Sequence, residues 1–178
     1  MQTRAPARHG RCHRSRPSTR SLDSRQLSRR LVRDLEAEIT ALINRLAPAL
    51  LEIPGCGALS ASKILKRTAG IARFKSKSAY ARHNGTAPLP VWSGNREGHR
   101  LSRMGNRQLS VALHRIAITQ AHYHPEARDY LQRRRLAGDT STESIRVLKR
   151  RLCDVVYRAL RRDAHSAEEP QTHLAAAD

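Results

Sequence analysis

From Ser24 to Ala47, Leu27, Leu31, Leu35, Ile39, Leu42 and Leu46 recur at steps of three or four residues. Arg29, Arg30, Arg33, Asp34, Glu36 and Glu38 occupy the faces between them. This pattern predicts one long amphipathic helix over residues 22–47. At about three heptads it has the minimum length for a coiled coil, so two arrangements stay open: a seam between copies, or a helix packed on its own domain.

Pro48 stands where a new helix would begin. Ala49, Leu50, Leu51 and Ile53 carry the apolar pattern on to Pro54-Gly55-Cys56-Gly57, which stops it. A short helix over 58–68 follows, closed by Gly70. Ser76 is placed to cap another short helix within 74–83, with Asn84-Gly85 as its left-handed terminator. From Thr86 to Arg100 the chain is rich in Pro and Gly and reads as an exposed loop. Leu109, Leu113, Ile116 and Ala117 then mark a helix over 106–121, and Pro125 opens one that runs to Leu136 and ends at Gly138. Thr140 or Ser141 caps a last helix to Arg162. Ile145, Leu148, Leu152, Val155, Val156 and Leu160 lie on one of its faces, with Arg146, Lys149, Arg150, Arg151 and Arg158 largely on the others. The expected fold class is all-α: a long coiled-coil-like helix, a helical domain over 48–162 and a disordered tail over 163–178.

Composition adds a partner. The 178 residues hold 34 Lys+Arg against 15 Asp+Glu, a net charge of +19. Most of the bases are Arg, whose planar fork matches phosphate oxygens, so nucleic acid is favoured over a small acidic substrate. Aromatic residues make up only 3%, which leaves Leu, Ile, Ala and Val to fill the core and favours packed helices. Residues 1–21 are Arg, Ser and Pro without a carboxylate and read as a disordered basic leader. A nucleic-acid-binding arm, a non-native leader and an organellar transit peptide all fit that composition. Cys12, Cys56 and Cys153 form no CxxC pair, which speaks for reduced thiols and against a disulfide framework or a zinc site. No apolar run reaches the roughly 18 residues of a membrane span, and the expected location is the cytoplasm, in association with a bacterial nucleoid.

Two stretches could carry chemistry. Leu50 to Gly57 followed by Ala61, Ile64 and Leu65 has the pattern of a helix-hairpin-helix at 49–68. Gly55 and Gly57 would permit positive φ and close approach of a phosphate to the second helix's free N–H groups, and Lys63 and Lys66 would extend that contact. Such contacts position a duplex without reading its sequence. A plain helical turn has the same pattern. The second stretch places Ser93 beside Gly94, followed by Arg96, His99, Arg100, Arg103 and Arg107, so that a hydroxyl and several phosphate clamps could meet. Ser-Gly is also a common turn pair. No carboxylate lies between Glu52 and Glu97, and no residue set has metal-ligand spacing, so neither a metal nor another cofactor is expected in this chain.

In order, Ile53-Pro54-Gly55-Cys56-Gly57, Phe74 with Lys75-Ser76, Gly85 with Pro88, Ser93-Gly94, Arg103-Met104-Gly105-Asn106-Arg107-Gln108-Leu109 and the final basic helix resemble one known family. It is the C-terminal domain of the insertion-sequence one-ten (also one-sixteen and nine-oh-two) transposases. The resemblance covers residues 27–160. It implies a DNA recombinase in which Ser93 matches the nucleophilic serine and 24–47 the end of a coiled coil. It also implies an acidic RuvC-like domain holding a divalent metal, and a structured guide RNA. This sequence shows no counterpart of that acidic domain, so the expectation is a truncated or split transposase, inactive alone. It would bind DNA through Gly55, Gly57, Lys63, Lys66, Arg96, Arg100, Arg103 and Arg107, and would pair through 24–47 or with a partner that carries the acidic domain. Two other readings fit the residues: a stand-alone helix-hairpin-helix protein without catalysis, and a coiled-coil interaction protein that poisons an intact transposase.

Overall fold

The computed structural model describes the backbone of residues 19–93, 96–101 and 104–172, and side chains over 24–88 and 104–167. The chain divides after Leu35 into two units. The expected leader, 1–21, lies outside the described residues apart from its last three, which open helix α1 (Thr19–Leu46). In the first unit Leu27, Leu31 and Leu35 of α1 are exposed, at 69, 58 and 48%.

The second unit is helical, as the apolar spacing predicts. At its start Ile43 and Ala47 are buried. Short α2 (Pro48–Leu51) follows, then α3 (Ala58–Thr68), α4 (Lys77–His83), α5 (Arg107–Tyr123), α6 (Pro125–Leu136) and α7 (Ser141–Thr172). Ser76 and Thr140 cap as the sequence predicts, and Asn106, read there only as the first residue of its helix, is the cap of α5. The Ser76 side chain accepts from the Ala79 N–H at 3.2 Å, and Asn106 does the same for Leu109 at 3.1 Å. At α7 the candidate is Thr140: its Oγ1 accepts from the Glu143 N–H while Glu143 Oε2 accepts from the Thr140 N–H, a reciprocal capping box.

Helix α5 is the hub. Leu109, Leu113, Ile116, Ala117 and Gln120 are buried where it packs against α3, α6 and α7. Helix α7 closes the other side with Leu148, Leu152, Val156 and Leu160 and also contacts α2 and α4. Phe74, Tyr80 and Tyr157 form an aromatic cluster with ring centroids 5.1 and 5.8 Å apart. At the buried end of that cluster Tyr80 Oη and Thr68 Oγ1 share a 3.1 Å hydrogen bond.

Two features depart from the sequence reading. Helix α7 continues through Thr172, ten residues beyond the expected end, and takes up most of the tail read as disordered. The segment read as an exposed loop is an antiparallel pair, β1 (Pro88–Ser93) and β2 (Arg96–Leu101), in register from Pro88↔Leu101 to Ser93↔Arg96. Prolines argue against strands because they cannot donate to the ladder. In a two-stranded sheet, however, each strand has a free edge. Pro88 and Pro90 are two residues apart, so both backbone nitrogens fall on one edge, where no partner needs them.

Candidate functional site

The turn between α2 and α3 spans Glu52 to Gly57. Gly55 has φ +79°, as expected of a glycine in this turn, but its lack of a side chain serves packing. A Cβ there would stand 3.1 Å from Cβ and Cγ2 of Thr119 on α5. Gln120 reinforces that contact by donating from Nε2 to the Pro54 carbonyl at 2.7 Å. Cys56 is buried, and burial pushes its thiol up to about 11, so it stays protonated and unreactive near neutrality.

Gly57 is the opening of this turn. Its φ is −74°, it caps α3 with no side-chain hydrogen bond to the helix start, and a Cβ there would meet nothing within 4 Å. The Ser60 N–H, in the first turn of α3, donates to the Gly57 carbonyl at 2.9 Å, and no side chain caps this helix start, the kind of helix N-terminus that can take an anion. Lys63 and Lys66 are exposed farther along α3. Arg67, also exposed and one residue beyond Lys66, completes an i, i+3, i+4 basic face that the sequence reading missed. Its position in the helical register was signal enough to find it.

The second group is arranged by the hairpin. Ser93 forms the last pair of the ladder, with Arg96 as its Cα partner, and Arg100 lies farther down β2, opposite Leu89. The side chains of these residues, and all of Gly94 and Arg103, lie outside the described residues. At the root, the Asn106 N–H donates to the His83 carbonyl at 2.7 Å, and Arg107 opens α5, exposed. Among the described residues no group of three His, Cys, Asp or Glu could hold a metal ion, and no helix is long and apolar enough to cross a membrane.

Residues 47–132 match the family described as Transposase IS116/IS110/IS902 family. The chain belongs to this transposase family. It is 33% identical over 132 residues to an uncharacterized 43.6 kDa protein of insertion element IS110 from Streptomyces coelicolor, covering 72% of this chain and 33% of that protein. An uncharacterized 42 kDa protein of IS900 from Mycobacterium paratuberculosis is 32% identical over 136 residues, 75% of this chain and 34% of its own length. The corresponding 44.8 kDa protein of IS116 from Streptomyces clavuligerus is 30% identical over 130 residues, 72% of this chain and 32% of its own. The chain thus spans about a third of the length of the curated relatives it matches. Within the transposase segment lie the α2–α3 turn, the hairpin, and α5 and α6 up to residue 132.

Proposed function

We propose that this chain is a nucleic-acid-binding domain of an insertion-sequence transposase and that its hairpin presents Ser93 to a DNA phosphate. The match over 47–132 carries this reading, because it encloses both the basic turn and the serine hairpin. The net charge of +19 supports the same partner. On this reading the α2–α3 turn is a helix-hairpin-helix: the open start of α3, with Lys63 and Lys66, holds backbone phosphates without reading bases. Ser93 Oγ loses its proton and bonds to phosphorus, and a deoxyribose oxygen leaves with the broken bond's electrons and takes up a proton. Arg96, Arg100 and Arg103 offset charge on the phosphate. A metal belongs with a RuvC-like acidic domain, and no step of this chain runs through it. A structured guide RNA is a second ligand for the same basic surfaces. The exposed Leu27, Leu31 and Leu35 stripe supports pairing with a second copy.

The test mixes the chain with an end-labelled DNA duplex and a complete partner domain of the family, and looks for a covalent adduct on a denaturing gel. Wild type forms the adduct; Ser93→Ala loses it and keeps its DNA affinity. An adduct formed by Ser93→Ala overturns the serine's role. Salt-sensitive binding without any adduct supports a non-catalytic helix-hairpin-helix protein instead. Sedimentation as a monomer at high concentration overturns the pairing.

A further inference from the structure

At the root of the hairpin, where Gly85 and Gly105 meet, residues of α5 and α7 line a cleft of about 550 Å³. Arg107, Ser110 and His114 line one wall, spaced three and four residues apart along one face of α5. Lys149 of α7 forms the other, and the backbone of Gly85 and Gly105 makes the floor.

The cleft's electrostatics are one-sided. Lys149, one of the bases that the sequence places largely off the apolar face of α7, is half-buried, and its Nζ donates to Ser110 Oγ at 2.8 Å. Among the described residues no carboxylate lies within 4 Å of it: the acids of this region are engaged elsewhere, Asp154 by Arg150 and Glu143 by Thr140. Burial and the nearby Arg146 both lower the Lys149 pKa, while burial and Lys149 itself lower that of His114. A positive charge taken out of water without a counter-ion is unfavourable unless an anion enters. Because the Ser110 hydroxyl accepts from Lys149, its own hydrogen remains to be donated into the cleft.

We propose that this cleft is a phosphodiester-binding site, in which Lys149, Ser110, His114 and Arg107 grip the nucleic-acid backbone at the root of the hairpin. The inference deepens the nucleic-acid reading above and rests on it. Arg107 to His114 spans about 10 Å of α5, room for more than one consecutive phosphate. The strand β1 carries Ser93 roughly 17 Å from the root. The cleft therefore anchors the backbone several nucleotides from the serine and sets which phosphate reaches it.

The experiment titrates the whole chain into a fluorescent DNA duplex, and separately into an RNA hairpin, over a series of salt concentrations. Lys149→Gln is expected to weaken binding about five- to tenfold and to reduce the slope of log affinity against log salt by about one. Arg107→Gln, at an exposed position with no core to disturb, does the same. Arg128→Gln, an equal charge change on exposed α6, alters affinity less than about twofold. The arm that loses more affinity identifies DNA or RNA as the cleft's occupant. Salt-dependent binding that Lys149→Gln and Arg107→Gln leave intact, or reduce only as much as Arg128→Gln does, overturns the cleft alone. Absence of salt-dependent binding by wild type to either probe overturns the nucleic-acid reading, and this inference with it.

Discussion

Gly105 lies backbone to backbone against Gly85. A Cβ on Gly105 would stand 2.2 Å from the Gly85 nitrogen, 2.4 Å from its Cα and 2.7 Å from the Asn84 carbonyl carbon. These two glycines bring the chain entering the hairpin and the chain leaving it to one point, beside the buried Asn84, whose Nδ2 donates to Cys153 Sγ at 2.9 Å.

The collision is with backbone, which cannot swing aside, so Gly105→Ala should destabilise the domain by about 3 kcal/mol and lower Tm by roughly 10 °C. Gly57→Ala meets nothing within 4 Å and should cost under about 1 kcal/mol. Thermal denaturation of the two variants checks the contrast. Equal losses would show that the hairpin root is not held by this approach.

Tyr80 and Thr68 satisfy each other in a buried site, and their bond joins α3 to α4. Tyr80→Phe strands the Thr68 hydroxyl and should cost about 1–2 kcal/mol, whereas Tyr80→Phe with Thr68→Val should recover part of that loss. Urea denaturation of both single variants and the double measures the coupling. Burial raises the Tyr80 phenol well above its ordinary range, so the ring stays neutral across the accessible pH range.

Helix α2 has no side-chain cap of its own. The Ala49 N–H instead donates to Asp163 Oδ1 of α7 at 3.1 Å, while the buried Oδ2 of that carboxylate has no partner among the described residues. Burial raises the Asp163 pKa, against the lowering effects of the Ala49 N–H and Arg162. A folded pKa above the unfolded one means that this group's stabilising contribution is full below the unfolded value near 4 and is lost as pH rises through the folded value. Asp163→Asn keeps an acceptor for Ala49 without the charge. It should equal or exceed wild type in stability at pH 7, and that advantage should shrink toward pH 4. Asp163→Ala should lose about 1 kcal/mol at pH 7. Denaturant titrations at the two pH values decide both outcomes.

Lys63 and Lys66 are exposed on α3 behind the open Gly57 turn. As phosphate contacts they carry no sequence information, so the double change to Gln should weaken every duplex by the same factor and reduce the salt slope by about two. Binding to unrelated duplexes at several salt concentrations tests this. A loss confined to one sequence would mean that α3 reads bases.

The local pattern along the chain determined the helices, because apolar spacing and caps are properties of neighbouring residues. Pro48 and Pro125 open α2 and α6, Ser76, Asn106 and Thr140 cap α4, α5 and α7, and Gly85, at φ +72°, follows the end of α4. The hairpin escaped that logic: Pro88 and Pro90 read as breakers. The Gly94-Asn95 pair between two six-residue runs was the available sign of a tight connection. Family motifs also singled out Ser93, Gly55 and Gly57. Only the tertiary structure assigned the two glycines different work, since the approach of Thr119 to Gly55 depends on residues more than sixty positions apart. The same holds for Asp163 capping α2 and for Lys149 turning into a cleft walled by α5. A side chain's charge is fixed by its identity, but whether that charge meets water, a carboxylate or an empty cleft is decided by which helices pack around it.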